Sequence, residues 1–263
     1  MVSSCGHDEN NKYKGGKAGD QTGTEYYTRP WYAPSYGWDC VLRHPNTRVG
    51  AKLAEIAQQA AKNDKIGYDQ NERLTYYNQL KAMGWHPDRI TTACESDCSA
   101  STAAAVIAAG HQLGLTKLQQ VSPSLTTYGM KVALINAGFE CLTESKYRTS
   151  DKYLLAGDII LNEQHHVIIN LTKGSGAGSQ TTSTAVEDMK TVTQYAAIVD
   201  VSANSFLNVR KGPGERFAVA TTGNDAVPIR LPKGAVISID AESSSWGRWT
   251  GTGYWVSLAY LKR

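Results

Sequence analysis

Glu95-Ser96-Asp97-Cys98-Ser99-Ala100-Ser101-Thr102 runs straight into Ala103-Ala104-Ala105-Val106-Ile107-Ala108-Ala109-Gly110. The second half is small or apolar on every side, so the pattern predicts a buried helix that starts at Cys98. Asp97 has the short acceptor side chain of an N-cap. Cys98 then falls in the first turn, facing free amide N–H groups and the positive end of the helix dipole. Both lower a thiol pKa, and the thiolate is the nucleophilic form. The next N–H groups can also hold an oxyanion, as acyl transfer requires.

Such a thiolate needs a base. Gly157-Asp158-Ile159-Ile160-Leu161-Asn162 and His166-Val167-Ile168-Ile169-Asn170 read as two strands joined by a turn, with His166 opening the second. Alternation puts His166 on one face with Ile168 and Asn170, and His165 on the other. A helix-borne Cys98 and a strand-borne His166, far apart in sequence, form the pair that a Cys/His hydrolase uses. A packed cysteine and a structural histidine would leave the same letters, and spacing alone keeps both readings open.

Outward from these motifs, Leu53, Ile56, Ala57 and Ala60 follow the spacing of an amphipathic helix. Leu74, Tyr77 and Leu80 mark another that stops at Gly84, and a further helix ends near Gly138. Phe139–Thr143, Asp158–Asn162 and His166–Leu171 have the length and content of strands. Helices followed by strands predict an α+β domain. The first 45 or so residues, rich in Gly, Tyr, Trp and Asn, carry no periodicity.

Asp97-Cys98-Ser99 before a small-residue helix, with Gly157-Asp158 and His166-Val167, resembles the NlpC-type and CHAP-type cell-wall peptidases over roughly residues 60–171. Ala100 and Ile168 stand where that papain-like family has glycine. The resemblance implies that Cys98 is the nucleophile and His166 the general base. It implies that Asp97 and Ser99, with Tyr68 of Ile66-Gly67-Tyr68-Asp69-Gln70, grip the amino end of a peptide. The family's third polar residue, which orients the histidine, follows on the next strand. Here a flexible-looking stretch begins directly after Leu171, so either His166 works without that residue or it comes from elsewhere. Lys17-Ala18-Gly19-Asp20-Gln21-Thr22-Gly23-Thr24-Glu25 also resembles the start of many phage-encoded peptidoglycan hydrolases. Asp20 could orient the imidazole and Gln21 could donate to the oxyanion, while a plain Asx turn is the alternative. Asn162 and Asn170 are further candidates.

Cys94 and Cys98 with His165 and His166 offer zinc-ligand types, but adjacent histidines on a strand diverge. Asp8-Glu9-Asn10-Asn11 lacks the alternating ligands of a calcium loop. No metal and no cofactor is expected. The five cysteines, Cys5, Cys40, Cys94, Cys98 and Cys141, are odd in number and scattered, unlike a disulfide framework.

In Thr172 to Thr184, ten of thirteen residues are Gly, Ser or Thr, the composition of a flexible coil. Domains are therefore expected at 1–171 and 197–263, with a linker at 172–196. The last 65 residues alternate apolar and polar over short stretches, as in a small barrel. Leu207-Asn208-Val209-Arg210-Lys211-Gly212-Pro213, Trp246-Gly247-Arg248-Trp249 and Gly253-Tyr254-Trp255-Val256 resemble a bacterial SH3 domain. That family binds cell wall, which implies wall-binding roles for Arg210, Trp246, Trp249 and Tyr254, with Trp255 in the core.

The whole chain has 263 residues, 41% hydrophobic and 19% charged, enough to build cores and unlike a disordered chain. A net charge of +3 is too small for nucleic-acid binding by bulk charge. No run approaches the roughly 20 apolar residues of a membrane helix, so no membrane insertion is expected. Met1-Val2-Ser3-Ser4-Cys5 opens no apolar signal segment, which predicts synthesis in a bacterial host cytoplasm and action on the wall after release.

The expected fold is a papain-like α+β cysteine peptidase domain followed by an SH3-like barrel, as in a phage endolysin. The expected activity is cleavage of a peptidoglycan amide, most simply as an endopeptidase. The alternatives are an N-acetylmuramoyl-L-alanine amidase, or a non-catalytic wall binder with a zinc-structured first domain. Met189 could also start a separate SH3 fragment that associates with the full chain.

Overall fold

A computed structural model describes residues 1–177, 190–215, 217–222 and 227–263. The chain divides into two units, Met1–Gln180 and Thr181–Arg263. The first unit opens with β1 (Val2–Cys5), β2 (Tyr26–Arg29), β3 (Cys40–Arg43), α1 (Thr47–Ala60), β4 (Ile66–Tyr68) and α2 (Thr75–Ala82). It continues with β5 (Cys94–Ser96), α3 (Cys98–Leu113), α4 (Thr116–Gln119), α5 (Thr127–Asn136), β6 (Glu140–Leu142), α6 (Ser145–Arg148), β7 (Ile159–Asn162) and β8 (His166–Asn170). The expected helices and late strands are present with shifted ends. Three strands precede the helices, however, so the order is not helices first.

Those early strands build the main sheet, whose order is β2-β1-β8-β7-β3-β6, antiparallel at every pair. Val2 stands opposite Asn170 and Ser3 opposite Ile169. One face of the sheet, with Leu42, Ile159, Leu161, Val167 and Ile169, packs on the small residues of α3. The other face, with Val2, Val41, Ile160 and Ile168, packs on Trp38 and Leu154. Small side chains along α3 allow this close approach, and twelve of its residues are buried. A separate parallel pair, β4 and β5, leads into the start of α3. Gly67 of β4 lies so near the Gly19 carbonyl that a Cβ would sit 2.4 Å from that oxygen.

The second unit begins with β9 (Lys190–Val199), β10 (Phe206–Asn208), β11 (Thr221–Thr222) and β12 (Val227–Pro228). It ends with β13 (Arg230–Pro232), β14 (Val236–Ser243), β15 (Trp246–Trp249), β16 (Trp255–Ser257) and β17 (Leu261–Lys262). A five-stranded sheet, β16-β15-β14-β9-β17, is joined by the pairs β10-β13 and β11-β12. The core gathers Val199, Leu207, Val209, Ile237, Ile239 and Val256.

The linker expected at 172–196 is too long at both ends. Gly174 and Gly176 donate backbone N–H groups to the Leu154 and Lys152 carbonyls, both at 2.8 Å, which fastens 172–177 to the first unit. Residues 190–196 begin β9, where Ala197 and Val199 turn inward. The remainder, 178–189, lies outside the described residues, and the Met189 start falls there too. No helix among the described residues is long and apolar enough to cross a membrane.

Candidate active site

The start of α3 follows from its sequence. The Asp97 carboxylate accepts the Ala100 N–H at 2.7 Å and so caps the helix. Cys98 occupies the first helical position and is half-buried, between the buried residues Asp97 and Ser99. The amide N–H groups of Ser99 and Val167 face its sulfur. Val167 is the chain neighbour of His166, so the two motifs converge although 67 residues lie between them in sequence. α3 packs on the Val167 face of the sheet, the His166 ring lies against Trp38, and the Asp97 charge acts on both Cys98 and His166.

The electrostatics differ from the expectation for a helix start. Burial pushes the Cys98 thiol up to about 12, and the Asp97 charge adds to this. The two amides and Arg73 pull the other way but do not outweigh burial. Burial holds His166 down to about 4, helped by the Arg29 charge and opposed by Asp97. Both the thiol and the imidazole are therefore uncharged at neutral pH.

Asp97 and Ser99 sit at the site but do not present a free amine-binding point. Arg73 Nε lies 2.6 Å from Asp97 Oδ2, and Arg73 Nη2 donates to Ser99 Oγ at 2.8 Å. Ser99 Oγ in turn donates to Asp97 Oδ1 at 2.8 Å. An internal cation already neutralises the carboxylate. Tyr68, at the end of β4, is buried, and its hydroxyl accepts from Gln70 Nε2 at 3.1 Å. Burial and the nearby Cys98 both raise its pKa, which places it close to the nucleophile.

Asp20, the candidate orienter, and Gln21, the candidate oxyanion donor, both turn their polar atoms onto their own loop. Asp20 takes five backbone N–H groups, from Thr22, Gly23 and Thr24 on Oδ1 and from Glu25 and Tyr26 on Oδ2. Gln21 donates its side-chain amide to the Ala18 and Gly19 carbonyls. The plain turn accounts for both residues. Asn162 stands opposite His166 across the hairpin, yet its Oδ1 accepts the Gln164 and His165 amides. Asn170 donates to the Leu155 and Thr172 carbonyls. The residue that does touch His166 is Ser4, whose Oγ lies 3.3 Å from Nε2. Nothing in Val2-Ser3-Ser4-Cys5 singles it out until the pairing of β1 with β8 is known.

A second group missing from the sequence reading is Glu95. It is 3% exposed, and its Oε1 accepts the Gly19 N–H at 2.6 Å. Burial, with Glu25, Asp69 and Glu9 adding, pushes its carboxyl up to about 8. Glu25 joins the same loop to β4 by accepting the Gln21 and Tyr68 amides.

The zinc-ligand types do not gather. Cys94 Sγ donates to the Lys65 carbonyl, and His165 stacks on Tyr36 with centroids 4.5 Å apart. Among the described residues no group of three or more His, Cys, Asp or Glu side chains is placed to hold a metal ion. Asp8 Oδ1 accepts the Asn10 and Lys12 amides in a turn.

In the second unit, Arg210 and Trp246 line a cleft of about 340 Å³, together with the exposed rings of Phe206 and Tyr260. Arg210 Nη1 also donates to the Phe217 carbonyl at 2.8 Å. Trp249 and Tyr254 pack against the core instead, and Trp255 is 6% exposed.

The family model for the endolysin-like domain matches residues 2–177, and the chain belongs to that family. No curated protein and no solved structure matches it. Membership supports a phage endolysin, and with it a cell-wall hydrolase in general, for which peptidoglycan is the fitting substrate.

Proposed function

We propose that the first unit is a papain-like cysteine hydrolase that cleaves a peptide amide of peptidoglycan, with Cys98 as nucleophile and His166 as general base. The observation that carries this reading is local. Cys98 and His166 each keep partial exposure, while Asp97, Ser99 and Val167 around them are buried. The two residues that carry the thiol and the imidazole are therefore more open than their frame.

The chemistry follows from two neutral partners. As Cys98 attacks the carbonyl carbon, His166 takes the thiol proton, and the developing oxyanion meets amide N–H groups at the start of α3. The imidazolium then gives that proton to the leaving amine as the C–N bond breaks. Water, deprotonated by His166, hydrolyses the thioester and regenerates the thiol. The second unit, read as a bacterial SH3 barrel, would hold the wall through the Trp246 and Arg210 cleft and raise the local substrate concentration.

Mass spectrometry of purified cell wall digested by wild type and by Cys98→Ala tests the reading. New amino termini inside the peptides, absent with the variant, are expected for an endopeptidase. Intact stem peptides freed from glycan would make it an amidase of the same mechanism. Equal product from both proteins, or none from either, overturns the proposal. Because neutral His166 is the active form, kcat/KM should hold down to about pH 5 and fall as pH drops through about 4.

A further inference from the structure

We infer that Ser4, on β1, is the residue that positions the His166 imidazole and selects its tautomer. The inference rests on the reading of His166 as general base. A neutral imidazole has one N–H and one lone pair, and the partner of one nitrogen decides which is which. Ser4 Oγ is buried and lies 3.3 Å from Nε2, a separation that suits either tautomer, and the inferred state has the hydrogen on Nε2 with Ser4 accepting it. That state leaves the lone pair on Nδ1, the nitrogen that the proposed mechanism uses for the Cys98 proton.

The ring is held in two further ways. Trp38 stacks along it, with centroids 6.3 Å apart and planes 30° from parallel, which restricts tilt. Trp38 is itself fixed by its indole N–H on the Tyr32 carbonyl at 2.9 Å and by an edge contact with the Tyr32 ring at 5.7 Å. Arg29 lies over that Tyr32 ring at 4.1 Å. The segment without readable periodicity thus supplies Ser4, Arg29, Tyr32 and Trp38 to one histidine.

A hydroxyl is also the fitting choice of orienter here. The charged groups acting on the imidazole are Arg29 from β2 and Asp97 from the helix cap, and the Tyr32 phenol next to Ser4 lies within reach of the Cys98 charge. An orienting carboxylate would stabilise imidazolium and raise the pKa of His166. Serine fixes direction without adding charge, so the imidazole stays neutral at rest, though a weaker base than a carboxylate partner would make it.

The test uses the full chain with Ser4→Ala, Ser4→Thr and Ser4→Asp. Nitrogen-15 NMR of the histidine rings, recorded in a Cys98→Ala background, reads the tautomer without any need for activity. The His166 signal should show Nε2–H when Ser4 is intact and in Ser4→Thr, and a tautomer mixture in Ser4→Ala. On the Cys98 chain, Ser4→Ala should lower kcat tenfold or more with KM little changed, and Ser4→Thr should restore most of it. Ser4→Asp should move the acid limb of the pH profile upward by a unit or more. A Ser4→Ala chain with wild-type tautomer and wild-type kcat overturns the inference. Loss of folding in Ser4→Ala leaves Ser4→Thr to decide: a folded Ser4→Thr chain with a tautomer mixture overturns the inference.

Discussion

The start of α3 and the loop from Gly19 to Tyr26 are each organised around one aspartate, in opposite ways. Asp97 meets one backbone amide of its own helix and then reaches outward to Arg73 and Ser99. Asp20 keeps its carboxylate for five amides within six residues of itself. The first arrangement surrounds a side chain, Cys98, that stays half-buried. The second closes a turn and presents backbone to Glu95 and Gly67. A polar cluster turned outward supports chemistry, and one turned inward supports a shape.

Cys98→Ala separates chemistry from shape most sharply. It should lower product release at least a thousandfold, while calorimetry finds the melting temperature within about 2 °C of wild type. A large fall in melting temperature would make Cys98 a packing residue. Asp20→Ala should do the reverse by leaving five amides without their acceptor, at about 2–4 kcal/mol of stability. Activity per folded molecule, measured at low temperature, should stay near wild type. A catalytic Asp20 would instead abolish activity in folded protein.

Arg73→Met probes the outward cluster by stranding a buried Asp97, at roughly 2–3 kcal/mol. Adding Asp97→Asn in the same chain should recover part of that loss, and denaturant titration of both variants checks it. A double variant no more stable than Arg73→Met would sever the proposed coupling.

The smallest effect concerns Glu95, and it depends on pH. Its folded pKa of about 8 lies above the ordinary 4.5, so the folded state keeps a proton that the unfolded chain has lost. Stability from this group is full below about pH 4.5 and is lost as pH rises through 8. Glu95→Gln cannot ionise. It should melt close to wild type at pH 5 and about 3–8 °C above it at pH 8.5. Equal melting temperatures at both values would mean that the carboxyl is not held protonated.

What can be read from sequence alone tracks how local each element's cause is. The start of α3 needs only Asp97 and a run of small residues, and the β7–β8 hairpin needs only adjacent apolar stretches and a turn. Both are contiguous and visible. Strands β1, β2 and β3 have four residues each, too few for alternation to stand out, and exist because distant partners complete their hydrogen bonds. Ser4 inherits that obscurity. The thiol pKa escapes a sequence reading for the same reason: the helix start is local, whereas the desolvation that outweighs it comes from tertiary neighbours. Asp20 and Gln21 look catalytic as letters, and only geometry shows their polar atoms turned onto their own backbone. In the second unit the turns and alternation are legible, but not which tryptophans face the core.

The place of β1 in the sheet bears on how the hydrolase comes into being during synthesis. It leaves the ribosome before the rest of the sheet, yet its neighbour β8 is the last strand of that sheet to be made. Pairing Ser3 with Ile169 closes a loop of nearly the whole unit, and such non-local contacts form slowly. Until then His166 has no Ser4 beside it. On the proposed mechanism the imidazole is therefore seated last, and activity arrives only with the completed sheet.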